Sequence, residues 1–237
     1  MTVEEVRAKV VALPAALPAF DPLDRATLQS QAYDQLRRAM MEGVFRPGAA
    51  ITIRAAAEAL SVSPMPVRAA LLRLEAEGAL VAQGGKRTLA VPTLTAEEYR
   101  ELRDIRIINE GLAAERAAGA ITDEELSEVE RCCEAMQAAA DAGDPGAYSR
   151  ANWALHLSVY RASRMRTLIS LIEGLWLRVG PYVPTMMPDK TSLERSMPDH
   201  WRILEACRRR DGVAARAAIA DDITRSAVRL IVSLQGS

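Results

Sequence analysis

Aromatic residues are scarce in this 237-residue chain, at 4% of the total, whereas Ala, Leu, Arg and Glu are abundant. That mixture favours helices over strands. No uncharged apolar run reaches the roughly 18 residues of a membrane span, so no membrane partner is expected. The first residues carry Glu4, Glu5, Arg7 and Lys9 and lack the apolar stretch of a signal peptide. Cysteine is also sparse: Cys132, Cys133 and Cys207 are odd in number and two are adjacent, which matches neither a disulfide framework nor a zinc-finger spacing. A reducing cytoplasm is the simplest home, and the thiols read as structural.

A large net charge is missing too, the total being -1 at pH 7. The average hides an asymmetry, because from Asp24 to Pro92 nine basic residues face six acidic ones. A slightly basic module tied to an acidic remainder is compatible with phosphate contact through the first part only.

Residues 1–23 contain Pro14, Pro18 and Pro22 and read as a loose arm. Apolar periodicity then predicts a helix from Thr27 to Glu42, a short one from Arg54 to Leu60, and a third from Pro66 to Glu77 closed by Gly78. Two short apolar runs, 79–83 and 88–91, flank Gly84-Gly85-Lys86-Arg87 and read as a hairpin. Three helices and a hairpin within residues 24–93 make a winged helix-turn-helix. Residues 96–235 show only helical patterns, about six of them, as a bundle-like domain. Thr122-x-x-Glu125 is a capping box, and Asp144-Pro145 an N-cap followed by proline. The fold class is therefore mainly α, a winged helix-turn-helix followed by an all-α bundle.

The most informative stretch runs from Ala57 to Gly78. Ser63 stands where it can cap a helix beginning near Pro66, which would turn free N–H groups toward a phosphate. Val67, Leu71 and Leu74 face inward along that helix, and Arg68 falls outside the stripe near its N-terminal end, where a recognition helix reads bases.

This stretch resembles the helix-turn-helix of the GntR family, which closes on a Ser-Arg-Thr-Pro-Val-Arg-Glu-Ala-Leu-like string and Leu-Glu-x-x-Gly. Ser63, Pro66, Val67, Arg68, Ala70, Leu71, Leu74, Glu75 and Gly78 match; Pro64 and Met65 replace the usual Arg-Thr, and Ala69 replaces Glu. The resemblance implies double-stranded operator DNA as partner, contacted by Arg54, Ser63, Met65, Pro66 and Arg68 and by Gly84, Gly85 and Lys86 at the wing tip. The lost arginine implies an operator that departs from the family's common one.

In the second part, Asn152 and His156 stand at i and i+4 on an apolar face beside Leu155 and Val159. His200 lies on a stripe with Ile203, Leu204 and Cys207, and Asp222 on one with Ala215, Ala218, Ile219 and Ser226. Buried polar groups need partners, and convergence on a metal would satisfy all four. The run from Tyr99 to Glu110 is similar to the opening helix of the FCD effector domain of FadR-type GntR regulators, with Arg106 and Glu110 at its Arg-x-x-x-Glu spacing; about six helices bring it closer to the VanR-like branch. Many FCD domains hold a divalent metal with an Asp-x-x-x-His pair and two later histidines. Here Asn152 stands for the Asp, His156 and His200 match, and Asp222, rather than Asp221, replaces the last histidine. Two imidazoles, a carboxylate and an amide oxygen suit zinc, nickel, manganese or iron.

The resemblance implies a homodimeric, metabolite-responsive regulator, a repressor in its commoner form, with a small organic-acid effector for which Arg106 and Arg178 are the candidate cations. No catalytic residue is expected. Three alternatives stay open at this stage: a metal-free pocket whose histidines bond Asp222 and the effector directly, a helical metal-dependent enzyme with an appended DNA-binding domain, and a ligand-free architectural protein.

Overall fold

A computed structural model describes residues 27–83 and 88–235. The N-terminal arm 1–23 and the wing-tip residues Gly84, Gly85 and Lys86 lie outside them.

The chain opens with α1 (Leu28–Met41), whose N-cap Thr27 accepts a hydrogen bond from the Ser30 N–H. Strand β1 (Ala50–Thr52) leads straight into α2 (Ile53–Ala59), with Thr52 capping the helix through the Ala55 N–H. The recognition-type helix α3 (Pro64–Ala76) follows, then β2 (Val81–Ala82) and β3 (Thr88–Ala90). The sheet order is β1-β3-β2, antiparallel throughout, with Ile51 opposite Leu89 and Ala82 also opposite Leu89. The hairpin expectation thus gains a third strand. β1 is too short for alternation to reveal, and it is pairing with β3 that makes it a strand.

Two further details depart from the sequence reading. Helix α3 begins at Pro64, two residues early, because proline is well accommodated in a first turn. Ser63 occupies the N-cap position but makes no side-chain capping bond. Pro66, at the third helical position, has no N–H to offer it.

After Thr95 the described structure is helical. It comprises α4 (Ala96–Ala120), α5 (Asp123–Ala142), α6 (Pro145–Ala162), α7 (Arg166–Val179), a 3₁₀ turn (Gly180–Tyr182), the single-turn α8 (Val183–Met186), α9 (Lys190–Arg208) and α10 (Gly212–Gln235). The six long helices match the expected number, and the short turn and α8 are additional. Capping boxes open α4 (Thr95 with Glu98) and α5 (Thr122 with Glu125), and Asp144 caps α6 through the N–H groups of Gly146 and Ala147. Helix α10 packs along α4, and α5 along α6.

One buried apolar cluster spans both parts, from Met40, Leu71 and Leu74 in the head to Ala113, Leu155 and Ile219 in the bundle. Cys132, Cys133 and Cys207 are buried free thiols within it, and burial pushes them up to about 11, about 12 and about 11. Thiols held protonated in this way are packing groups.

The two parts meet at residues 180–187. A Cβ on Gly180 would stand 2.5 Å from the Met40 carbonyl oxygen, and one on Gly43 (φ +72°) would stand 2.9 Å from the Gly180 carbonyl oxygen. Only glycine permits this approach. Beside it, the Tyr182 hydroxyl accepts from the Leu94 N–H at 2.6 Å, on the segment joining head to bundle. Arg37 of α1 completes the junction with an ion pair to Glu173 of α7 at 3.0 Å.

Candidate functional site

In the head, Arg54, Ser63, Met65 and Arg68 are exposed and Pro66 is half-buried, while Val67, Leu71 and Leu74 are buried beneath them. Neither Arg54 nor Arg68 is engaged by an acid among the described residues, so both guanidinium groups are free for an external anion. Pro64 and Pro66 remove two first-turn N–H donors from α3, so the side chains rather than the helix terminus carry the contact potential here.

In the bundle, the inward polar residues come together. Asn152 and His156 lie on α6, His200 on α9 and Asp222 on α10, all buried. His156 Nε2 is 3.5 Å from Asp222 Oδ2, and His200 Nε2 is 3.6 Å from Asp222 Oδ1. Asn152 Oδ1 lies 2.9 Å from His200 Nε2. Ligand atoms of both histidines and Asp222 fall within 4.8 Å of one another. Asp221 instead faces outward, bonded to Arg202 and Arg225.

The hydrogen-bond network sets the tautomer of His156. His200 Nδ1 is 3.0 Å from the Ser196 carbonyl oxygen and its Nε2 is 2.9 Å from Asn152 Oδ1, both acceptors, so a neutral His200 donates to one of them only. The Tyr160 hydroxyl donates its proton to Glu110 Oε2 at 2.5 Å. It can therefore only accept from His156 Nδ1, 2.9 Å away. With the proton of each imidazole on Nδ1, both Nε2 lone pairs point into the same space as a carboxylate and an amide oxygen. Burial holds His200 below its ordinary range and so favours the neutral imidazole. Burial would raise the Asp222 carboxyl, yet the His200, His156 and Arg106 side chains around it bring it down to about 2. The carboxylate of the cluster is thus ionised, and the imidazoles beside it can offer lone pairs.

Behind it stands a buried pair. Arg106 Nε and Nη2 donate to Glu110 Oε1 and Oε2 at 2.6 and 3.2 Å. Arg106 also lies 5.0 Å from the Trp176 ring centroid, and Trp176 packs against His156. The Trp176 Nε1–H is buried without an acceptor. Arg106, Asn152, His156, Trp176 and Asp222 share a cavity that Val183, Met186 and Met187 also line. Its free space is about 20 Å³, enough for one ion or water.

Arg178 is not part of this cavity. It is exposed, and its charge acts on Glu98 and Tyr182. Two residues beyond Trp176 is more than half a helical turn, so the two side chains leave α7 on opposite sides.

Sequence reasoning missed Tyr160 and Trp176. Tyr160 follows His156 by four residues, a spacing that could have found it. Trp176 gave no such signal, because a large ring on a helix packs by default.

Comparison with known proteins agrees with this architecture. The model of the bacterial regulatory proteins, gntR family, matches residues 28–89, and that of the FCD domain matches residues 101–225. The HTH-type transcriptional regulator McbR of Escherichia coli (strain K12) is 28% identical over 207 residues, covering 86% of this chain and 93% of McbR. A solved structure of E. coli McbR/YncC superposes with a TM-score of 0.80 at 27% identity, covering 90% of this chain and 99% of that one. The probable D-xylose utilization operon transcriptional repressor of Paenarthrobacter nicotinovorans is 28% identical over 197 residues, covering 83% of this chain and 86% of the repressor. These relatives are transcriptional regulators, not enzymes. With one family model over the helix-turn-helix and another over more than half of the sequence, the chain belongs to the gntR family of bacterial regulatory proteins and carries an FCD domain.

Proposed function

We propose that this protein is a metabolite-responsive repressor. A homodimer places two α3 helices in successive major grooves of a near-palindromic operator, and the FCD domain binds a small carboxylate with the help of a divalent metal. The head comprises residues 24–93 and the effector and dimerisation part residues 96–235. Repression is the action named for the relative from the D-xylose utilization operon. No helix among the described residues is long and apolar enough to cross a membrane, in keeping with a cytoplasmic regulator.

The observation that carries the metal is the donor set. Atoms held about 2.1 Å from one ion stand roughly 3–3.5 Å apart, and the separations of 2.9, 3.5 and 3.6 Å fall in or beside that range. Both Nδ1 atoms face oxygen acceptors, as in most histidine metal sites. His156, His200, Asp222 and Asn152 would hold zinc, nickel, manganese or iron. When bound, the ion supplies a Lewis-acidic point for a carboxylate oxygen. Arg106 and the unpaired Trp176 N–H add positive character beside it.

A metabolite does not fit the present free space, so Val183, Met186 and Met187 must give way on binding. These residues belong to the segment that presses Gly180 against α1 and holds Leu94 through Tyr182. Opening the cavity therefore disturbs the junction with the head, and the two head arrangements acquire different effector affinities, as linkage requires.

Elemental mass spectrometry on tag-free protein tests the metal. Near-stoichiometric metal is expected, lost in His156→Ala/His200→Ala. No metal after reconstitution with zinc, nickel and manganese would leave a metal-free pocket. On the DNA side, Arg68→Ala is expected to cost roughly 1–3 kcal/mol of operator binding and to relax specificity at one base position. Unchanged affinity and specificity in a fluorescence titration would remove Arg68 from the reading set.

A further inference from the structure

Along α4, Glu101, Ile105, Ile108, Leu112 and Arg116 follow one another at steps of four, three, four and four, which puts them on one helix face. Ile105 and Ile108 are 39% and 62% exposed, and Leu112 is half-buried. A single exposed isoleucine needs no explanation. An apolar stripe bracketed by opposite charges does. Glu101 and Arg116 are exposed, and neither has an ion pair or hydrogen bond among the described residues. Neighbouring acids are already used, Asp104 by Arg103 and Glu115 by Arg216.

We infer that this face is the contact between two copies of the chain, each α4 lying antiparallel against the other; the inference rests on the homodimeric reading above. A twofold axis between Ile108 and Asn109 sets Ile105 against the partner subunit's Leu112 and Glu101 against the partner subunit's Arg116. About that axis the face is symmetric in polarity and opposite in charge at its ends. A twofold contact needs this self-complementarity, because the same patch meets itself. A docking site for an unrelated protein has no reason to show it.

The geometry also suits the head. Each α4 starts directly after the segment that leads from the head, with Thr95 as its N-cap. At 1.5 Å per residue the two helix starts would lie about 38 Å apart, close to the roughly 34–36 Å between successive major-groove half-sites.

Sedimentation equilibrium of the full-length chain is the test, comparing wild type with Ile108→Glu, Glu101→Arg, Arg116→Glu and the double variant Glu101→Arg/Arg116→Glu. Wild type should be dimeric at micromolar concentration. Ile108→Glu should weaken the dimer at least about tenfold, since it brings two carboxylates together in the apolar centre. Each single charge change should weaken it roughly tenfold by setting like charges opposite twice over, and the double variant should recover to within about threefold of wild type. All three substituted positions are exposed, and an unchanged circular dichroism melt would show that the fold is intact. A dimer indifferent to Ile108→Glu would overturn the α4 contact while leaving the homodimer standing. Failure of the double variant to recover would overturn the antiparallel register. A monomeric wild type would overturn both the contact and the homodimer.

Discussion

Gly180→Ala is expected to destabilise the protein by about 3 kcal/mol and to lower its melting temperature by roughly 6–12 °C. The new methyl carbon would meet the Met40 carbonyl oxygen at 2.5 Å and the Met41 Cα and carbonyl oxygen at 2.7 Å. These are backbone atoms at the end of α1, tied into the helix and its closing turn, so they cannot swing aside as a side chain would. Nor can the opposite wall yield, because Gly43 already uses a positive φ to let the Gly180 carbonyl approach. Relief comes only by parting α1 from the segment 180–187, which is the contact proposed to link the cavity to the head. The variant should therefore also show operator affinity less responsive to the effector. Gly174→Ala is the matched control: nothing lies within 4 Å of its Cβ position, so the helix propensity of alanine should stabilise it by about 0.5–1 kcal/mol. Calorimetry reads both. An unchanged melting temperature for Gly180→Ala would mean that the two segments do not meet this closely in solution.

The second large effect is expected at Glu110. Glu110→Ala should cost about 3–5 kcal/mol, because it leaves the buried guanidinium of Arg106 without its partner. Both groups are almost wholly enclosed, at 5% and 0% exposure, so water cannot replace the lost bonds. The same change frees the Tyr160 hydroxyl proton to turn toward His156 Nδ1. The imidazole then shifts its own proton to Nε2 and withdraws a lone pair from the cluster. Metal affinity should fall about 10–100-fold, the range seen when such supporting groups are removed. Tyr160→Phe separates the two roles, since it keeps the ion pair and removes the tautomer control together with one hydrogen bond to Glu110. Denaturant titration should then show a smaller loss of stability, while metal competition still shows weaker binding. Wild-type affinity in Tyr160→Phe would end the tautomer argument. A double replacement, Arg106→Met/Glu110→Met, should recover much of the stability lost in Glu110→Ala, because no buried charge is left over.

These effects centre on residues that the sequence revealed unevenly. The donor set was legible because polar residues interrupt apolar helix faces: Asn152 and His156 share one turn, and Asp222 rather than Asp221 sits on the inward stripe of α10. The two pieces of the head were legible for a similar reason, since the helix-turn-helix string places buried and exposed residues at fixed steps along α3. Caps such as Thr122 with Glu125 are local, four-residue devices, and local devices are written in consecutive residues. Charge alone says nothing of direction, and the helix of Arg178 turns that side chain away from the cavity.

What the sequence by itself determined is the class of the protein, the order and ends of most helices, and the residue types offered at the candidate site. Helical periodicity and capping act within a few residues, so they leave a readable trace. Only the tertiary structure decided which distant groups meet. Tyr160, 50 residues from Glu110 in the chain, links it to His156. Gly180 admits α1 from the far end of the fold, and β1 exists only through pairing with β3. Those choices depend on close packing between segments far apart in sequence, where a distance of an ångström separates contact from clash.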